Sequence, residues 1–233
     1  MLTLAAIGFI GATLLPQAKV DETRTWMSKR GALLWEESFP GTTLSKDWRK
    51  GLGSWQVEGG VLKGAELPQD NHAAYLYRQV STPDVVLQFS FKFAGAKLVS
   101  CLFKGDFHVA ALNIRPDGAT LRRMTGIGKT TKGADVDATR EKLALDDGAW
   151  HHVVWEFRGD EMVATIDGRW SLLARVEDMS LARDRYEFST RGGPAALFKD
   201  AKVWAAEADP LWPKTRVLLI ERSGKSAVEH GYR

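Results

Sequence analysis

Residues 150–168, WHHVVWEFRGDEMVATIDG, leave little choice of local structure. Val153, Trp155 and Phe157 alternate with Val154, Glu156 and Arg158, the period of two that turns one set of side chains toward a core. Gly159-Asp160 supplies turn chemistry. Met162, Ala164 and Ile166 then form the apolar stripe of a returning strand, which Asp167-Gly168 ends. The stretch is a β-hairpin.

The same period recurs along the chain. In residues 84–93, Val85, Leu87, Phe89, Phe91 and Phe93 point one way, and Gln88, Ser90 and Lys92 the other. Shared parity on these two clearest strands predicts that Phe89, Phe91, Val153, Trp155 and Phe157 belong to one core between two sheets. Further strands are expected over 33–39, 72–80, 98–104, 107–114, 120–124, 171–176, 187–190 and 196–205. Glu58-Gly59-Gly60 and Arg115-Pro116-Asp117-Gly118 mark turns. Short strands every eight to twelve residues, with almost no helical periodicity, give an all-β fold, a two-sheet antiparallel β-sandwich. At 233 residues, with 44% apolar and 26% charged, the chain suits one large domain.

The aromatic-His opening of the hairpin, its alternating strand, its Gly-Asp turn and its Asp-Gly close resemble the laminin G-like branch of the concanavalin A-like lectin and glucanase superfamily. The framing stretches LLWEESFPGTTLSKDWRKGLGSWQVEGGVLKG (33–64) and YEFSTRGGPAALFKDAKVW (186–204) resemble most the domain named after 3-keto-disaccharide hydrolases. The likeness spans residues 32–206. It implies a jelly roll in which one sheet presents a groove where many members bind sugars. One fold hosts many functions, so lectin, scaffold and enzyme all stay open under it.

Outside that span, residues 1–18 are apolar, without side-chain charge, and followed at once by Lys19, Asp21 and Glu22. This length and boundary read as an export signal that is removed, giving a secreted or periplasmic protein with no membrane attachment; an uncleaved anchor is the alternative. Residues 19–31 read as a linker. In the tail, 207–233, Pro213 followed by KTRVLLIER is expected to open a short helix. The 32 basic and 29 acidic residues are spread along the chain, with no run that would make a nucleic-acid stripe. The lone Cys101 excludes an intrachain disulfide; sharing a face with Val99 and Phe103, it reads as a buried hydrophobe.

Several motifs fall away on inspection. Gly126-Ile127-Gly128-Lys129-Thr130 mimics the end of a phosphate-binding loop, but Arg123 stands where its first glycine is needed. The glucanases of the resembled superfamily place Glu-x-Asp-x-x-Glu, or a bulged form, on one strand. The nearest match, Asp135-x-Asp137-x-x-x-Glu141, lies in a polar region read as a solvated loop. No cofactor is expected. Calcium, which laminin G-like relatives often hold at the sandwich rim, is considered, but no acidic cluster has a ligand spacing. His151 and His152, adjacent on a strand, face opposite sides, and His152 reads as exposed.

The expected partner is a carbohydrate. If Val99, Cys101 and Phe103 face the core, Ser100 and Lys104 face outward. With Phe107, Val109 and Ala111 taken as inward, His108 also turns outward, and the turn at 115–118 brings Arg122 opposite Leu112. Gln88 joins this group if its strand is a neighbour. Hydroxyl-rich ligands favour such multi-donor groups. Ser100, Lys104, His108, Arg122 and Gln88 are therefore candidate ligand-binding residues, with His108 the candidate proton-transfer group. The resembled hydrolase-type domain often has an Asn-Ser-Gly stretch and then an Arg and an acid near these positions. Ser100 is kept, whereas Val99, Cys101, Lys104 and His108 depart from that pattern. Trp48, Trp55 and Tyr75 are candidates for stacking on a sugar face, with core packing the other reading of both tryptophans.

Overall fold

The computed structural model describes residues 21–80, 82–105, 108–123, 137–141, 143–175 and 184–223. In chain order, the first strands are β1 (Ser28–Glu37), β2 (Trp48–Leu52), β3 (Ser54–Glu58), β4 (Val61–Ala65), β5 (Ala74–Gln79), β6 (Val85–Lys92) and β7 (Leu98–Lys104). They continue with β8 (His108–Arg115), β9 (Gly118–Arg123), β10 (Asp137–Glu141), β11 (His151–Arg158) and β12 (Glu161–Ile166). Then come β13 (Trp170–Arg175), β14 (Arg185–Arg191), β15 (Ala196–Ala208) and the helix α1 (Trp212–Ser223). One sheet runs β13-β12-β11-β6-β15-β4-β3, with β1 also on β15; the other runs β10-β9-β8-β7-β14-β5-β2. The named strands pair antiparallel, and the two layers make the sandwich that alternation predicted.

Turn residues behave as their chemistry requires. Asp167 and Gly168, central in the turn between β12 and β13, both have positive φ (52° and 62°), as Asp-Gly favours. Gly159 opens the β11–β12 turn at φ 59°. Between the sheets, Phe89, Phe91, Val153, Trp155 and Phe157 are wholly buried in one cluster with Val99, Cys101, Phe103 and Phe188. Phe103 meets Trp155 edge-on at 5.0 Å, and Phe188 stacks on Phe198 at 4.9 Å. Burial also raises the Cys101 thiol pKa well above its ordinary value, so it packs as a hydrophobe.

Both tryptophans offered as sugar platforms belong to this core. Trp48 lies between Tyr186 and Phe188 and donates to Glu37 at 3.2 Å. Trp55 donates to the Leu52 carbonyl and lies against Gly64, where a Cβ would come within 2.4 Å of its ring. Each is only 4% exposed, so neither offers a face to a ligand.

The segments read as linker and tail contain paired and packed residues. Ser28–Arg30, within the stretch read as a linker, already pairs with Ala208–Ala206 of β15. Ahead of it, Trp26 and Met27 pack with Val163, Leu173, Trp212 and Leu219, so the N-terminal segment and α1 together cover the outer face of the first sheet. Beneath them lies Glu156, fully buried, accepting hydrogen bonds from the backbone N–H groups of Trp26 (2.7 Å), Met27 (2.8 Å) and Ser28 (2.6 Å). Burial pushes its pKa up to about 7, against these three donors and Arg30, which hold it down. Among the described residues no helix is long and apolar enough to cross a membrane. Residues 1–18 lie outside the described residues.

Candidate functional site

The outer face of the second sheet has a different character. Strand register lines its outward residues into rungs that cross the sheet. One rung runs Arg49, Tyr77, Glu187, Leu102, Ala111 and Arg122 over β2, β5, β14, β7, β8 and β9. Six strands at about 4.8 Å spacing span about 24 Å. The next rung is Tyr75, Ser189, Ser100, Asn113 and Thr120. A third sets Gln79, Arg185, Lys104 and His108 side by side.

Small side chains floor this face: Ser100, Ala111 and Ser189 are buried, and Ser100 donates to Asn113 Oδ1 at 2.7 Å. Longer ones rise around them. Tyr75 is seated over Gly51, where a Cβ would lie only 2.0 Å from the tyrosine ring, so the bulge of β2 at Gly51 is a cradle for it. Lys104 Nζ lies 5.2 Å from the centre of the Tyr75 ring, and His72 meets that ring edge-on at 5.7 Å. Arg185 sits 5.5 Å over Tyr77.

At the centre, Lys104 Nζ donates to Glu187 Oε2 at 2.6 Å. Glu187 is 4% exposed, and burial raises its pKa although Lys104, by charge and hydrogen bond, and then His72 and Arg185 oppose that rise. His108 keeps part of its surface in solvent, yet its pKa falls to about 4. Crowding of its ring is the first cause, and the positive charges of Lys104, His72 and Arg185 add to it. Its imidazole is therefore neutral near pH 7, an acceptor or base rather than an acid.

Ser100, Lys104, His108 and Arg122 thus share one face, and Tyr75, offered separately with the two tryptophans, lies on it too, but two details of the expected facing differ. On β8 it is Ala110, Leu112 and Ile114 that enter the core, while Val109, Ala111 and Asn113 face out; Phe107 lies outside the described residues. A bulge that skips Val109 returns His108 to Lys104's side. Arg122 consequently stands opposite Ala111, not Leu112. Four consecutive buried residues, Val109–Leu112, hide the facing of that strand from any period-two reading.

Gln88 is elsewhere altogether. It lies on β6 in the first sheet, between β11 and β15, and accepts from Arg30 at 3.0 Å. His152, read as exposed, is half-buried on that sheet with Ser90 at 3.2 Å. The region read as a solvated loop contains the edge strand β10, with Asp137 opposite Arg122 and Glu141 opposite Gly118; Asp135 lies outside the described residues. Asp137 is four strands from Glu187 along the same rung, about 19 Å. Among the described residues no group of three or more His, Cys, Asp or Glu could hold a metal ion.

The residue that sequence reasoning missed is Glu187. Its signal was available: Tyr186 and Phe188 are core aromatics, so period two forces Glu187, Ser189 and Arg191 onto the opposite face.

No known family's sequence pattern matches the chain, and no curated protein matches it. Its structure resembles the laminarinase of Rhodothermus marinus, with a TM-score of 0.56 and 13% identity over 75% of this chain and 97% of that one. It is also similar to the carbohydrate-binding module CBM66 of Bacillus subtilis, at 0.50 and 16% identity over 68% and 96%. A galectin-like protein of unknown function from Bacillus subtilis aligns at 0.51 and 13% identity over 78% and 100%. The fold is a two-sheet antiparallel β-sandwich of the jelly-roll type.

Proposed function

We propose that this is an exported carbohydrate-binding domain whose ligand lies across the outer face of the second sheet. The observation that carries the reading is the Lys104–Glu187 pair on the outer face of the second sheet, flanked by Tyr75 and Tyr77. An ammonium and a carboxylate side by side offer donors and acceptors to the vicinal hydroxyls of a sugar, and the serine and asparagine rung extends that offer. Half-buried tyrosines give an apolar pyranose face a surface on which to desolvate. Solved structures named as glucan-cleaving and carbohydrate-binding proteins share the fold, which supports the reading as an analogy. The apolar run at residues 1–18 supports export.

A second reading, a glycosidase of the 3-keto-disaccharide hydrolase type, draws support from Glu187. A carboxyl whose pKa is raised by burial suits a proton donor, and neutral His108 nearby suits a base. A glycan array combined with reducing-sugar release on the glycans that bind separates the two. Binding without release supports the binding domain, and release that is lost in Glu187→Gln supports the enzyme. Folded protein that does neither overturns both.

A further inference from the structure

At the β2–β5 edge of the same sheet, a cavity of about 860 Å³ opens between β1, β2 and β5. Its volume is in the range of small-molecule sites, about 300–1,000 Å³. Leu34, Trp35 and Val80 supply its apolar wall. Trp35 is not free to stack on a ligand, because Tyr186 lies parallel to it at 5.0 Å and the Arg78 guanidinium lies 4.4 Å from its ring centre. The ligand chemistry of the cavity is therefore set by its charges.

Those charges do not cancel. Arg78 is spent on Asp47 at 3.1 Å and Glu37 at 3.7 Å, and Asp184 lies 3.9 Å from Arg185. Lys46 and Arg49 remain. Both are exposed at the cavity; Arg49 donates to the Lys46 carbonyl at 2.9 Å, and neither has an acidic partner among the described residues. Arg49 is also the first member of the rung that contains Tyr77 and Glu187, and Gln79 and Asp184, both on the cavity wall, adjoin the Arg185 rung. Through Arg49 the cavity adjoins the candidate face, and at the cavity stand two cations with no acidic partner among the described residues. Elsewhere on that surface, the half-buried cation Lys104 already has Glu187.

Resting on the reading of that face as a carbohydrate site, we infer that the ligand is an anionic glycan. One of its acidic groups, a uronate carboxylate or a sulfate, sits in the cavity against Lys46 and Arg49. Arginine's planar fork matches either oxyanion in a two-point contact, and lysine adds a point charge. Tyr77 and Glu187 then meet the neutral, hydroxyl-bearing part of the chain.

Calorimetry with four probes tests this: an oligogalacturonate, a sulfated dextran oligosaccharide, a neutral β-glucan oligosaccharide and polyglutamate. One or both acidic sugars should bind at least about tenfold more tightly than the neutral one, a difference of about 1.4 kcal/mol. That advantage should shrink with added salt and disappear in the double variant Lys46→Ala/Arg49→Ala, whose melting curve should match the parent. Which acidic sugar wins distinguishes carboxylate from sulfate. Equal or better binding of the neutral glucan, an unaffected double variant, or polyglutamate binding as tightly as the acidic sugars would each overturn the inference. Binding of the neutral glucan alone would leave the carbohydrate reading standing; no binding of any sugar by folded protein would remove both.

Discussion

On the outer face of the first sheet, Val163 and Leu173 are covered by Trp26, Met27 and α1, and Glu156 is clamped by three backbone N–H groups from its own chain. On the outer face of the second, Glu187 is nearly as buried but is held by one side chain, Lys104. Both glutamates alternate with core aromatics on long strands: Trp155 and Phe157 flank one, Tyr186 and Phe188 the other. Their partners make the difference. Backbone donors cannot turn away without unfolding the segment that bears them, so the first arrangement is structural. A lysine ammonium can exchange a carboxylate for a sugar hydroxyl and leave no backbone group orphaned. The second arrangement is able to exchange partners, as a binding site must.

The largest test of this contrast is Glu156→Ala. It strands three buried donors at about 1–3 kcal/mol each, so urea unfolding should report a loss of about 3 kcal/mol or more. Glu187→Ala should cost about 1 kcal/mol or less, because Lys104 can turn toward water. Equal losses would erase the distinction between the two faces. Next in size is Trp212→Ala. It removes a buried indole that donates to Glu161 at 2.7 Å and should cost about 3 kcal/mol while speeding amide exchange at residues 26–28. Unchanged exchange there would mean that α1 does not hold the N-terminal segment down.

On the second face the effect should appear in affinity instead. Tyr75→Ala should weaken binding of a glycan found on the array by about tenfold, or about 1.4 kcal/mol, with a melting temperature close to the parent's. Lost stability with intact affinity would reverse the assignment of the two faces.

The smallest effect is a matter of sign. Glu156 has its pKa raised from 4.5 to about 7, so its contribution to stability is complete below pH 4.5 and disappears as pH rises toward 7. His108 has its pKa lowered from 6.5 to about 4, so its contribution is complete above pH 6.5 and disappears as pH falls toward 4. Between about pH 4.5 and 6.5 the two oppose each other. His108→Gln should therefore leave a melting temperature that falls with rising pH across that window, and Glu156→Gln one that climbs. Identical pH profiles for parent and both variants would contradict both shifts.

Much of this architecture could be read from alternation and turn residues. The β11–β12 hairpin, the facing of β6, the outward positions of Ser100 and Lys104, and the helix after Pro213 all follow from local chemistry. Period two states which residues share a face of a strand, because successive Cβ atoms point to opposite sides whatever the fold. It says nothing about which strand lies alongside. Gln88 and Ser100 both sit at outward positions, yet they belong to opposite sheets, and only the order of strands separates them. The same holds for Lys104 and Glu187, 83 residues apart in sequence and 2.6 Å apart in space. Where both faces of a strand are buried, as on β8, alternation vanishes, and the facing comes from neighbours and a bulge. Polar β10 is a strand because β9 offers it a ladder of backbone partners, a signal its own residues lack. Sequence alone determined most of the strands, the turns between them and the apolar faces that meet in the core; long-range pairing decided β10 and which outward residues share the candidate site, because hydrogen bonds between distant strands select neighbours by geometry that no local pattern encodes.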